Sequence, residues 1–152
     1  MNNWFTVKVK YTKQLENGTF KRVTEPYLLA AMTFTDAEAR IYEELGTAIR
    51  GEFQVVSIAR TEVHDIFLTE GSESWFKCKI NYDKNNEEGD RKKNMSLTFL
   101  VSADSVKEAN ERLVEALSTL MIDYRISSVV QDPLVDIFPQ KEVESQDQEE
   151  IF

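Results

Sequence analysis

One phrase of aromatic and basic residues occurs twice in this chain, and its side chains could bind single-stranded nucleic acid. Residues 4–11 read WFTVKVKY, and residues 75–82 read WFKCKINY. In both phrases a tryptophan comes first and lysines follow at alternating positions, which gives six candidate residues: Trp4, Lys8, Lys10, Trp75, Lys77 and Lys79. Aromatic rings stack on bases while lysines contact phosphates, the combination that sequence-tolerant single-strand binding uses. The phrase therefore predicts two copies of a nucleic-acid-binding surface.

The two tryptophans have a second interpretation, which is packing. Each stands near the start of an expected strand, where a large ring can cover the edge of the core or the seam between the two copies. Lysines at alternating positions are ordinary on the solvated face of a strand. The formal net charge of −9 also argues against indiscriminate binding of nucleic acid. The sequence leaves both interpretations open.

The repeated phrase is the first of three blocks that recur in the same order, at an offset of 71 or 72 residues. The second block places AMTFTDAEARI at 31–41 over ADSVKEANERL at 103–113. The third places FQVVSIARTEVHDIF at 53–67 over YRISSVVQDPLVDIF at 124–138, and both end in Asp-Ile-Phe. Such an ordered set indicates a tandem duplication. We expect a first repeat at 1–69 and a second repeat at 70–139.

Each repeat is predicted to fold as strand, strand, helix, strand. In the first strand Phe5, Val7 and Val9 alternate with polar residues, which is the period of a half-buried strand. Asn17-Gly18 is a hairpin turn signal. Pro26 indicates an edge or a bulge in the second strand.

Helices are expected at 34–46 and 106–120. A hydroxyl stands three residues before an acid at both starts, Thr33 before Asp36 and Ser105 before Glu108, as in a capping box. Strands that bury one face under a helix give an α+β layer. Since each repeat is small for an independent core, the prediction is an α+β pseudo-twofold pair with a shared core.

The composition changes after Pro139. Residues 140–152, QKEVESQDQEEIF, carry five acids and one lysine and show no periodicity. Such a segment buries too little apolar surface to offset its ordering entropy, so we expect a disordered acidic tail. Its last residues combine charge with an aromatic anchor and are the predicted partner-binding residues: Glu149, Glu150, Ile151 and Phe152.

The sequence contains few residues in an arrangement that could support catalysis. His64 is the one histidine, and Val135 takes its place in the second repeat, which favours a structural role. No zinc, P-loop or nucleophile-elbow motif occurs. Asp65 and Asp136 could be imagined as a paired metal site, but strand-end carboxylates accept backbone hydrogen bonds more often. Cys78, the single cysteine, excludes an internal disulfide and suits a buried strand position. We expect no enzyme activity, no cofactor and no metal.

No stretch is apolar enough to span a membrane, and the first residues, MNNWFTVKVK, lack the pattern of a signal peptide. The expected location is the cytoplasm. The duplicated pattern is also compatible with a homo-oligomer.

Two parts of the chain resemble known groups of proteins. NWFTVKVKY together with the TFTDAEARI helix start resembles an uncharacterised family of short proteins from gut bacteria of the Bacteroides group and their phages, a domain of unknown function. This resemblance implies a phage or mobile-element origin and carries no activity. The final DQEEIF is similar to the acidic C-termini of bacterial and phage single-stranded-DNA-binding proteins.

Two functions follow as hypotheses. The first is a non-catalytic protein of phage or mobile-element replication that binds single-stranded DNA by tryptophan stacking and lysine–phosphate contacts, with a tail that recruits a replication or host protein. The second is an adaptor or inhibitor that binds a host or phage protein and no nucleic acid. The net acidity favours the second hypothesis.

Overall fold

The computed structural model describes residues 3–85 and 92–140. Along this part of the chain the elements are β1 (Asn3–Gln14), β2 (Phe20–Ala31), α1 (Phe34–Leu45), β3 (Phe53–Thr61), β4 (Asp65–Phe67), β5 (Ser74–Asn85), β6 (Lys92–Ala103), α2 (Val106–Ala116), β7 (Tyr124–Asp132) and β8 (Asp136–Phe138). Two helices and two mixed four-stranded sheets confirm the predicted α+β class. No helix in these ranges is long and apolar enough to cross a membrane.

The two sheets have the same topology, which confirms the repeated architecture. The first has the order β3-β1-β2-β8, and the second, written from the corresponding edge, has the order β7-β5-β6-β4. In each sheet a long antiparallel hairpin forms the centre, with one antiparallel and one parallel strand at its edges. The predicted Asn17-Gly18 turn closes the first hairpin, and Gly18 has a φ of +86° there, which only glycine adopts without strain.

Both helices begin as the hydroxyl–acid spacing predicts. The Thr33 side chain accepts a hydrogen bond from the backbone N–H of Asp36, and Ser105 accepts one from Glu108. The first helix ends at Leu45. A Cβ at Gly46 would lie 2.8 Å from the carbonyl oxygen of Tyr42. Gly46 has right-handed helical backbone angles, so the close approach, and not a left-handed turn, favours glycine here. The second helix ends at Ala116, earlier than the expected 120.

The chain forms two compact units, and their boundaries do not coincide with those of the two repeats. One unit contains residues 3–61 together with 135–140, and the other contains the described residues between 62 and 134. The cause is the short Asp-Ile-Phe strand at the end of each repeat. Strand β4 follows β3 in the chain but joins the sheet of the second repeat, and β8 follows β7 but joins the sheet of the first.

Each unit has its own hydrophobic cluster between its sheet and its helix. In the first, Phe5, Val7 and Val9 of β1 pack with Ala37, Ile41 and Leu45 of α1. In the second, the matching residues are Phe76, Cys78 and Ile80 with Ala109, Leu113 and Leu117. Phe138 packs against the first cluster and Phe67 against the second. Each core is thus completed by a phenylalanine of the other repeat.

Candidate nucleic-acid interface

The candidate lysines lie on the face of each sheet that is turned away from the helix, here called the outer face. The alternation in β1 sends Phe5, Val7 and Val9 into the core, where they are at most 1% exposed. Lys8 and Lys10 between them are exposed. Strand β5 repeats the arrangement, with Lys77 and Lys79 exposed on either side of the fully buried Cys78.

The outer face of the first sheet is cationic. Its β1 residues lie opposite Arg22, Thr24 and Pro26 of β2, and the Arg22 guanidinium donates a hydrogen bond to the Thr12 hydroxyl at 3.3 Å. On the other side of β1, Lys8 and Lys10 lie opposite Ser57 and Gln54 of β3. Among the described residues of this face there is no aspartate or glutamate. Three cations therefore stand on it without a carboxylate beside them.

The outer face of the second sheet is more nearly balanced. Lys77 and Lys79 are joined there by Arg125, but the face also contains Asp83 and Asp132. Asp83 lies 3.7 Å from the Arg125 guanidinium, and Asp132 accepts a hydrogen bond from the backbone N–H of Leu134. Asp83 therefore pairs with Arg125, and Lys77 and Lys79 form no salt bridge within the described residues.

The two tryptophans lie at the less exposed end of their outer faces. Trp4 is partly buried and lies between Ala30 of β2 and Thr61 of β3. Ala30 and the next outward-facing residue of β2, Leu28, are 4% and 1% exposed. Trp75 is likewise partly buried, beside the buried Ser102. Each ring therefore shares a face with its lysines, but it offers less open surface than they do.

The structure adds a residue pair that the sequence reasoning missed. Lys8 lies opposite Ser57, and Lys79 lies opposite Ser128, at equivalent positions of the two repeats. In both sheets a β-bulge follows at once, between Lys8 and Val9 and between Lys79 and Ile80. A bulge re-aims side chains next to it. The signal in the sequence was the identity of Ser57 and Ser128 within the third repeated block.

A polar cluster on the helix-facing side of the first sheet was also missed. The Tyr11 and Tyr27 hydroxyls both donate to Oε1 of Glu25, at 2.7 and 3.2 Å. Lys13 lies 3.5 Å from the other carboxylate oxygen. Burial, reinforced by the hydrogen bond to Glu25, raises the pKa of Tyr11 to about 12, and burial together with the Glu25 charge raises the pKa of Tyr27. Tyr27 belongs to the first hydrophobic cluster and Tyr11 packs against it, so the Glu25 carboxylate lies beside the core.

The residues considered for catalysis occupy structural positions. His64 is exposed, packs edge-on against Phe99 at 5.4 Å, and donates its backbone N–H to the carbonyl of Thr98. Asp65 and Asp136 each accept a hydrogen bond from the next backbone N–H. Burial raises the pKa of the Cys78 thiol to about 11, so this thiol is a poor nucleophile near neutral pH. The described residues contain no group of three or more potential metal ligands.

The predicted partner-binding residues Glu149, Glu150, Ile151 and Phe152 lie outside the described residues, so the tail prediction stays a prediction.

Comparison with known proteins identifies a family without an assigned activity. No curated protein matches the chain. A family model described as a domain of unknown function, DUF4494, matches residues 3–140. This range includes both repeats and the two short strands β4 and β8, each of which joins the sheet of the other repeat. The chain therefore belongs to the DUF4494 family.

Proposed function

We propose that the chain binds single-stranded DNA along the outer faces of its two sheets. The observation that carries the proposal is the cationic outer face of the first sheet, where Lys8, Lys10 and Arg22 stand without a carboxylate neighbour in a chain of net charge −9. A local cation cluster can bind phosphates even in an acidic protein, because charges beyond about 10 Å are largely screened at 0.1 M salt.

The backbone geometry suits a flexible, extended ligand. Lys8 and Lys10 are two residues apart on one strand, which separates their α-carbons by about 7 Å along the sheet. Ser57 beside Lys8 adds a hydroxyl that can donate a hydrogen bond to a phosphate oxygen. Trp4 on the same face supplies a ring for stacking. The second sheet repeats Trp75, Lys79 and Ser128 in the same relation.

The proposed setting is replication of a phage or mobile element, with residues 140–152 recruiting a replication or host protein. The support for this setting is the sequence resemblance, together with a tail that ends Glu149-Glu150-Ile151-Phe152. The acids of such a tail can also compete with phosphates for Lys8 and Lys10, which makes DNA binding conditional.

The test is a titration of fluorescently labelled oligo(dT) with the full chain at several salt concentrations. Replacing Lys8 and Lys10 together by alanine should weaken binding and should reduce the salt slope by about 1.4, since each phosphate contact to a single strand contributes about 0.7. The matched control is the double change Lys13→Ala with Lys21→Ala. These lysines face each other on the same hairpin, on the opposite side of the sheet. Equal losses for both pairs would contradict a site on the outer face.

A second candidate function is an adaptor or inhibitor that binds an extended segment of another protein. The observation that favours it is the pair of outer edges of β3 and β7. Within the described residues, each is hydrogen-bonded to a neighbouring strand on one side only. Strand edges of this kind accept an added strand. The partial burial of both tryptophans also fits this function better than base stacking. An oligo(dT) titration without binding at low salt would favour it.

A further inference from the structure

The two Asp-Ile-Phe strands bind their sheets in the same way. Strand β8 pairs in parallel with Tyr27–Leu29 of β2, and β4 pairs in parallel with Phe99–Val101 of β6. We call these two segments the acceptor edges. The phenylalanine of each short strand stacks on the aromatic residue that begins its acceptor edge. The ring centroids of Phe138 and Tyr27 are 5.8 Å apart with their planes at 15°, and those of Phe67 and Phe99 are 5.5 Å apart with their planes at 16°.

The backbone contacts that precede each strand also correspond. The N–H of Val135 donates to the carbonyl of Pro26 at 2.9 Å, and the N–H of His64 donates to the carbonyl of Thr98 at 2.7 Å. The three residues of the two short strands are identical. Each strand is therefore chemically suited to either acceptor edge.

A repeat cannot place its own Asp-Ile-Phe strand on its own acceptor edge. Strand β3 ends level with Ala30, at the far edge of the sheet from the acceptor edge. To pair with Tyr27, Asp65 would have to lie three strand spacings across the sheet from Thr61 and three residues back along it. That position is roughly 17 Å from Thr61. The connection from Thr61 to Asp65 spans at most about 14 Å when fully extended. The same limit applies between Asp132 and Asp136. Each acceptor edge must therefore be filled by a different repeat.

We propose that the acceptor edges are binding sites for an Asp-Ile-Phe strand and that a second copy of this chain can supply that strand. In such a dimer the first repeat of one copy exchanges strands with the second repeat of the other copy. Every strand pairing of the monomer is preserved, so the choice between the two forms depends on concentration. The monomer dominates below the effective concentration of the tethered strand, which is in the millimolar range for short linkers. This inference does not depend on nucleic-acid binding.

Only the loop of residues 68–73, between β4 and β5, has to open for this exchange. Near the surface it is held by hydrogen bonds from the Ser72 N–H to the Thr69 carbonyl at 3.3 Å, from the Glu73 N–H to Asp104 at 3.1 Å, and from Arg112 to the Ser72 hydroxyl at 2.7 Å. At its start, next to β4, the Thr69 N–H donates to the hydroxyl of the buried Ser102 at 2.6 Å. Gly71, with a φ of +88°, turns the chain there. No residue of this loop belongs to the buried cores, so opening it leaves both clusters intact.

The test changes the length of this loop in the full chain. Phe67 lies level with Val101 and Ser74 level with Ala103, two strands apart, so the loop must bridge roughly 12 Å. Deleting residues 69–73 joins Leu68 to Ser74 and leaves a reach of about 7 Å, which is too short. Light scattering on a sizing column should then show a dimer at micromolar concentration, whereas the unmodified chain should run as a monomer. The matched control inserts four Gly-Ser residues after Gly71 and should remain monomeric.

A second measurement covers the case in which the shortened chain does not fold. Two unmodified copies with different affinity tags are unfolded, mixed and refolded together at about 1 mM, close to the effective concentration of the tethered strand. The two tags should co-purify after dilution, and refolding the same mixture at about 1 μM, far below that effective concentration, should abolish the co-purification. A shortened chain that is folded and monomeric would overturn the proposal. So would co-refolded unmodified copies that never co-purify.

Discussion

The ring of Phe138 stacks on the ring of Tyr27, with the centroids 5.8 Å apart and the planes at 15°. The two residues belong to different repeats, so this contact secures the last strand of the second repeat in the sheet of the first. Tyr27 is itself held by the hydrogen bond from its hydroxyl to Glu25. A carboxylate beside the core therefore orients the ring against which Phe138 stacks.

Removing either exchanged phenylalanine should destabilise the whole chain. Phe138→Ala and Phe67→Ala are each expected to lower the free energy of unfolding by roughly 2 kcal/mol, below the 3–5 kcal/mol of a fully buried ring because both are only partly buried. Urea denaturation followed by circular dichroism measures the change. Phe20→Ala is the control, because Phe20 is 70% exposed and its loss should stay within about 0.5 kcal/mol. A loss as small as that of the control would show that the exchanged strands contribute little.

The two helix caps should contribute similar amounts to the free energy of unfolding. Thr33→Ala and Ser105→Ala each remove the side-chain oxygen that accepts a hydrogen bond from the third residue along, and each is expected to cost about 1 kcal/mol. Thermal unfolding measures the loss. Thr33→Ser retains the acceptor and should recover most of it. If serine is no better than alanine at position 33, the cap is not the cause.

Stability should fall at alkaline pH because of the tyrosines beside Glu25. The pKa of Tyr11 is raised from its ordinary 10.0 to about 12, and that of Tyr27 is raised as well. The unfolded chain therefore loses these protons first, so the stabilisation is complete below pH 10 and is lost as the pH rises through about 12. Tyr11→Phe should flatten this part of the profile of unfolding free energy against pH. Tyr82→Phe, which removes a hydroxyl opposite Met95, is the control and should retain the wild-type slope.

Substituting the two tryptophans distinguishes a role in base stacking from a role in packing. If they stack on bases, the double change Trp4→Phe with Trp75→Phe should weaken oligo(dT) binding for all sequences alike and leave the melting temperature nearly unchanged. Stacking of one base contributes about 1–3 kcal/mol by alanine substitution, and a smaller ring retains only part of it. A lower melting temperature with unchanged affinity would assign both rings to packing, which their partial burial also allows.

Shortening the chain to end at Gln140 tests the tail and retains the Pro139 carbonyl that accepts a hydrogen bond from Arg40. The melting temperature should change little, since both cores lie within residues 3–140. Affinity for oligo(dT) at low salt should rise, because five acids that compete with phosphates are gone. Phe152→Ala in the full chain should leave DNA affinity unchanged and remove partner binding that needs an aromatic anchor. Unaltered affinity after shortening would exclude competition by the tail.

Much of the fold could be predicted because its signals are local. The alternation around Phe5 and Val7, the Asn17-Gly18 turn and the hydroxyl–acid spacing at Thr33 and Ser105 each act within a few residues, and the structure confirms them. The exchange of β4 and β8 could not be predicted. A strand of three residues has too short a pattern to specify a partner, and its sheet is decided by the reach of the connection after Thr61 and by register across the whole sheet.

In the candidate site too, the features set by local sequence were predictable and those set by pairing between strands were not. Strand parity alone placed Lys8 and Lys79 on the outer face. Arg22 and Ser57 were missed because their position opposite β1 depends on the hairpin register and on the bulge after Lys8. Glu25 lies at an inward-facing position where the sequence pattern calls for an apolar residue, and the two tyrosine hydroxyls together with Lys13 explain a carboxylate there.

The exchange of strands has a consequence for the order of events during synthesis on the ribosome. The first unit lacks its fourth strand until Asp136–Phe138 has been translated, long after Thr61. At about 5–20 residues per second this leaves the acceptor edge of β2 open for several seconds. An open edge next to hydrophobic side chains is a template for association between nascent chains. Neighbouring ribosomes on one message would hold such chains close together, so the crowding of polysomes should influence which form of the protein emerges.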